Sequence, residues 1–196
     1  MSNEIKKNAH ANPAPLGLLA FGMTTVLLNL YNASILNFTA VIIAMGVALG
    51  GLAQIIAGIR ELCQGNTFGG TAFTAYGLFW WSFVLIKTNP FGSNVSDADA
   101  HSLAWYLLLW GIFTLFMFIG TLKHNRATQV VFGTLTVLFF LLSIADFTEN
   151  HTVHHTVHTI AAIVGIFCGF SAIYNAVAQI INEEYGKTIL PLGDKK

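Results

Sequence analysis

Ser102-Leu-Ala-Trp-Tyr-Leu-Leu-Leu-Trp-Gly-Ile-Phe-Thr-Leu-Phe-Met-Phe-Ile-Gly-Thr-Leu122 runs without a charge to Lys123-His-Asn-Arg126, and the apolar run 127–145 follows at once. Each run has roughly the 17–25 residues that cross about 30 Å of hydrocarbon at about 1.5 Å per residue. The short polar break allows only a tight return, so the two runs read as an antiparallel pair of spanning helices. Four more runs of this kind lie at 15–36, 38–59, 71–88 and 157–181. The sequence therefore predicts an all-α integral membrane protein with six transmembrane helices.

Charge placement orients the six. Threaded through a bilayer, they leave Lys6, Lys7, Arg60, Lys123, Arg126, Lys187, Lys195 and Lys196 on one side. Only Lys87, beside Asp97 and Asp99, falls on the other. Lys and Arg favour the cytoplasmic side, so both termini are predicted there. Residues 1–14 are then a cytoplasmic N-terminal segment, 15–181 the transmembrane domain and 182–196 a cytoplasmic tail. The first apolar run exceeds the roughly 7–15-residue core of a signal peptide and has no clear cleavage site, so it is expected to be a retained helix.

Composition agrees. Hydrophobic residues make up 55% of the chain and charged residues 9%, against about 25% charged in a soluble domain. Lipid is therefore expected as the main solvent. A net charge of zero argues against a nucleic-acid partner. Connections as short as four residues leave no room for a second domain. Cys63 in a predicted cytoplasmic loop and Cys168 near mid-depth are too far apart in height to form a disulfide.

No Asp, Glu, Lys or Arg is expected near the middle of a span; Arg60 and Glu61 cap the second helix, and Asp146 and Glu149 follow the fifth. Transporters driven by buried ion pairs or carboxylate relays place such groups at mid-depth, so the interior points to a route lined by neutral groups. Thr25, Asn29 and Asn32 share one face of the first helix. Gly46, Gly50, Gln54 and Gly58 form a stripe on the second, and Gly165, Gly169, Ala172 and Ala176 one on the sixth, near Asn175 and Gln179. Such stripes serve close helix packing, and a buried amide serves either packing or a wetted route.

His151-Thr-Val-His154-His155-Thr-Val-His158 is read as an outer loop, solvated or responsive to pH. His151/His155 and His154/His158 would also have the spacing to chelate a metal ion if the segment were helical. No metal or cofactor is otherwise called for. His-Glu-x-x-His, Gly-x-Ser-x-Gly and the dinucleotide and phosphate-loop glycine patterns are absent, so an enzyme is not expected.

Asn12-Pro-Ala-Pro-Leu-Gly-Leu18 resembles the signature of the acetate uptake transporter family, whose bacterial members are succinate–acetate permeases. The likeness continues through Phe21-Gly-Met-Thr-Thr25, Gly65-Asn-Thr-Phe-Gly69, Thr71-Ala-Phe-Thr-Ala-Tyr-Gly77, Ser171-Ala-Ile-Tyr174 and Leu190-Pro-Leu-Gly193. The resemblance implies a homohexamer in the cell (inner) membrane with a separate pathway through each subunit. It also implies a hydrophobic constriction, which maps to Phe21, Tyr76 and Leu135. Asn12, Thr24, Thr25, Asn29, Asn32, Gln54, Thr74, Ala172 and Asn175 are expected along that pathway or at the substrate.

Depth supports the mapping: Phe21, Tyr76 and Leu135 all lie about 7.5–12 Å into helices that start on the same side. Phe132 and Phe139 share Leu135's helix face and are expected outside the ring. Pro13 and Pro15 suit the first turn of a helix whose free N–H groups would attract carboxylate. The expected function is transport of acetate and succinate, with a proton moving on the acid itself or alongside the anion. A pore for formate or urea, or a structural membrane protein, is the competing expectation.

Overall fold

A computed structural model describes residues 11–92 and 95–194. Lys6, Lys7, Lys195 and Lys196, which entered the charge count, lie outside the described residues, as does most of the segment 1–14. Six helices are long and apolar enough to cross a membrane: α1 Ala14–Asn32, α2 Ala40–Cys63, α3 Thr67–Thr88, α4 Ala100–Thr121, α5 Arg126–Phe147 and α6 His151–Tyr185. No strand occurs among the described residues.

Short polar side chains start these helices by occupying backbone N–H groups that have no carbonyl partner in the first turn. Asn66 Oδ1 accepts from the Gly69 N–H at 3.0 Å, Asp99 Oδ1 from Ser102 at 2.7 Å, and Asn125 Oδ1 from Thr128 at 2.9 Å. At α1, Pro13 is the N-cap and Pro15 sits in the first turn, where an N–H would have no helical acceptor, and Asn12 Oδ1 accepts from Ala14 N–H at 3.0 Å. Glycine at 186, with φ of 61°, closes α6 in the left-handed region.

Several expected boundaries move, and two of the shifts relocate named residues. The His-rich segment is the start of α6 rather than a loop, with Asn150 Oδ1 capping Thr152 and Val153 N–H at 3.0 and 3.2 Å. Hydropathy placed the start where the apolar run begins. The helix in fact extends beyond it, because its exposed turns bond internally, as in Thr156 Oγ1 to the Thr152 carbonyl at 2.9 Å. Similarly, α2 runs on to Cys63, which is exposed at the helix end and not in a loop.

The six helices close into a ring, each packed on its chain neighbours and α6 returning to α1. The α1–α6 contact is backbone to backbone. A Cβ on Gly22 would lie 2.6 Å from the Gly169 carbonyl oxygen, and one on Gly169 would lie 2.8 Å from that of Gly22. Between α3 and α4 the backbones approach least, and aromatic rings fill the gap: Phe79 meets Tyr106 at 5.7 Å and Trp110 at 5.2 Å between centroids. Leu109 and Phe116 on the far side of α4 face outward, as lipid-facing residues should.

Within α2, Gly46–Ala53 is π-helical. The wider winding leaves a carbonyl for an outside donor, and Trp81 Nε1 donates to Val47 O at 3.1 Å. The residues after α6 are not a free tail. Tyr174 Oη donates to the Pro191 carbonyl at 2.7 Å, while Ala127 and Arg126 N–H donate to Leu192 and Gly193 carbonyls at 3.0 Å. This strap satisfies the first N–H groups of α5.

Gly22→Ala should cost about 1–3 kcal/mol, because the obstructing atom is backbone and cannot turn aside. Gly133→Ala, whose Cβ would meet the Phe118 ring at 3.2 Å, should cost less. Thermal unfolding of the two variants in detergent checks the order; equal melting temperatures would refute it.

Candidate translocation pathway

Where α1, α3 and α5 begin, a cavity of about 540 Å³ opens into the ring of helices. Asn12 and Ala14, Asn66 and Gly69, and Asn125 and Thr128 all lie in its wall, so three helix N-termini converge on one space. Their partial positive charge favours an anion there. Asn12 Nδ2 donates to Gln179 Oε1 at 2.9 Å, Gln179 Nε2 to Asn175 Oδ1 at 3.0 Å and Asn175 Nδ2 to Thr128 Oγ1 at 3.2 Å. That chain ties α1, α6 and α5 together behind the wall.

Glu61 lies in the last turn of α2, as expected, but is buried and faces inward. Expected as an end cap, it is 3% exposed, lines this vestibule and accepts from Asn66 Nδ2 at 2.7 Å. It thereby holds the asparagine that caps α3. Its position was readable, since it lies two turns beyond Gln54 on the same helix face. Glu61 and His124 are the titratable side chains among the described residues lining the vestibule.

Beyond the vestibule lies a second cavity of about 20 Å³, lined by Phe21, Tyr76 and Leu135 together with Gln54. Leu18, Ala72, Phe73 and Phe132 line both spaces, so the two adjoin. The small cavity is of the order of one water molecule. Phe21 and Tyr76 ring centroids are 6.1 Å apart and tilted by 50°. The common depth has a simple origin: Phe21 follows Asn12 by nine residues, while Tyr76 and Leu135 follow Asn66 and Asn125 by ten. Three helices begin at one level, and one residue of each meets the others.

One expectation needs correction here. Phe132 lines the small cavity beside Leu135, so it is no neutral neighbour, whereas Phe139 packs farther along against Phe79 at 5.3 Å. The Tyr76 hydroxyl is not free: it donates to Thr114 Oγ1 at 2.9 Å, which donates to the Trp110 carbonyl at 2.7 Å. Past the ring, Phe79, Trp80 and Phe139 are buried and fill the centre.

Of the other expected pathway residues, Asn12 and Gln54 line a cavity, and Thr24, Thr25, Asn29, Asn32, Thr74, Ala172 and Asn175 line neither of the two. Asn29 packs against Gly165 at the α1–α6 contact and donates to the Thr25 carbonyl at 2.9 Å. Asn32 Nδ2 reaches Asn29 Oδ1 at 3.4 Å. Thr24 donates to the Ala20 carbonyl at 2.8 Å, Thr74 packs on Gly58 and Ala172 is fully buried.

At the opposite end, His154 and His158 stack with centroids 5.7 Å apart, and His154 Nε2 lies 3.6 Å from Asp146 Oδ1. No group of three or more His, Cys, Asp or Glu side chains is placed to hold a metal ion among the described residues.

Residues 2–192 match the GPR1/FUN34/yaaH family. The chain is 50% identical over 184 residues to the succinate-acetate/proton symporter SatP of Escherichia coli strain K12, covering 94% of this chain and 96% of that protein. It is 34% identical over 202 residues to acetate permease A of Emericella nidulans, covering 96% of this chain and 67% of that one. The solved structure of the bacterial acetate channel SatP superposes with a TM-score of 0.90 at 50% identity, covering 94% of this chain and all of that one. A profile across nearly the whole length, with the same six-helix ring, makes this chain a multi-pass membrane protein of the GPR1/FUN34/yaaH family.

Proposed function

We propose that the chain carries acetate, and succinate as a second substrate, across the cell inner membrane through a pathway in each subunit of a homohexamer. One observation carries the reading: a vestibule of about 540 Å³ bounded by three helix N-termini narrows to a space of about 20 Å³ between Phe21, Tyr76 and Leu135. The wide end collects small anions, and the apolar neck slows water and hydrated ions. A monocarboxylic acid fits both halves, with a methyl group for the ring and a carboxyl group for the polar wall. The name of the Escherichia coli relative, a symporter of succinate or acetate with a proton, supports the same substrates. The vestibule faces the cytoplasm, because eight of the nine Lys and Arg residues fall on that side.

Influx of radiolabelled acetate into proteoliposomes above that of empty vesicles tests the function. Saturable flux supports it; no flux from folded protein, or flux of urea but not acetate, overturns it. Leu135→Ala and Phe132→Ala should each widen the neck and admit lactate, at a modest folding cost because a cavity wall loses fewer contacts than a dry core. Phe139→Ala should not admit lactate. The orientation predicts that Cys63 in intact cells resists a thiol reagent unable to cross the membrane; rapid labelling from outside would reverse it.

A further inference from the structure

Four buried side-chain polar atoms lack a hydrogen-bond partner among the described residues: Thr25 Oγ1, Gln54 Oε1, Thr74 Oγ1 and Trp80 Nε1. Only Gln54 lines either of the two cavities, and it does so at the constriction, 1% exposed. Facing it are the rings of Phe21, Tyr76 and Phe132 and the aliphatic carbon of Leu135. The Tyr76 proton is already given to Thr114. An amide oxygen kept without a protein partner in an apolar neck is a group open to a partner that comes and goes.

We propose that Gln54 sets the specificity of the constriction by pairing with the un-ionised carboxyl group of the substrate. The amide oxygen accepts the acid O–H, and the amide N–H donates to the acid carbonyl. The inference rests on the pathway reading above and adds which form of the acid passes. A carboxylate has no proton to offer the amide oxygen. It would also carry a full charge into a ring with no cation in its wall, which is far more costly than carrying a neutral, doubly hydrogen-bonded acid. The proton then travels on the substrate, so coupling needs no ionisable side chain at mid-depth. A dicarboxylic acid passes only when both ends are neutral.

The test uses the full chain in proteoliposomes, with influx of radiolabelled acetate measured over empty vesicles. Above a carboxyl pKa of about 4–5, the neutral fraction falls about tenfold for each pH unit. At fixed total acetate, initial flux should fall in proportion between about pH 5.5 and about pH 7. Acetamide, uncharged at both and offering one donor group and one acceptor, should compete equally well at each. Gln54→Met keeps the length and removes both hydrogen-bonding groups. It should lower acetate flux at least about tenfold, the loss of one buried hydrogen-bonded pairing, and abolish acetamide competition. Its melting temperature should hold or rise, because no bond within the protein is broken.

Gln54→Met with a lowered melting temperature and unchanged flux per folded protein would make the amide structural and overturn the proposal. So would wild-type flux that ignores pH and moves charge, although acetate transport itself would then stand. No wild-type acetate flux at either pH would instead overturn the pathway reading.

Discussion

Hydrocarbon offers no water, so every polar group within it must find its partner inside the protein. This constraint selects helices for all six spans, and it also governs the side chains. Thr114, Thr136 and Ser171 return their hydroxyls to carbonyls three or four residues back in their own helices, at 2.7–2.8 Å. Ser143 reaches across to the Ala104 carbonyl at 2.9 Å and so holds α5 to α4. Where a polar atom escapes this rule at a cavity wall, as in Gln54, the exception carries information because the rule is kept so widely around it.

Helix starts convert the same constraint into a functional layout. First-turn N–H groups have no helical acceptor, so asparagine or proline marks the beginnings of α1, α3 and α5. These starts lie on one side of the ring, which brings three positive helix ends to a shared vestibule. Equal distances along the three helices then bring Phe21, Tyr76 and Leu135 to one level. The neck does not have to be built residue by residue: its position follows from capping and from the rise per residue. Glu61 contributes from α2 by fixing Asn66, so a vestibule wall and a helix cap share one hydrogen bond.

Much of this was legible because hydrophobic length and charge bias are strong signals in a membrane chain. Six spans could be counted, and once the resemblance named the three ring residues their common depth followed from the rise per residue. Other features depend on pairings that linear pattern does not contain. The outer turns of α6 are too polar to read as span, yet the Asn150 cap and internal threonine bonds make them helical. The π-helical stretch of α2 exposes a Val47 carbonyl that Trp81 meets, a contact between helices. Thr25, Asn29 and Asn32 share a face as expected, but spacing says nothing of what that face meets. Gly165 places Asn29 at a helix contact instead of a cavity. The strap at 189–193 likewise depends on carbonyls meeting the start of α5.

Vestibule and neck make opposite demands on the same carboxyl group. Three helix N-termini favour it charged, while the apolar ring of Phe21, Tyr76 and Leu135 favours it neutral. On the proposed pathway a carboxylic acid would therefore change its charge at their boundary. The residues common to both cavities, Leu18, Ala72, Phe73 and Phe132, carry no titratable group. Proton exchange would then belong to the vestibule, whose wall includes Glu61 and His124, and the neck would need only to recognise the result. On the proposed pathway such a division asks little of the ring beyond size and one amide, so a span with no mid-depth charge would suffice to pass an acid with its proton.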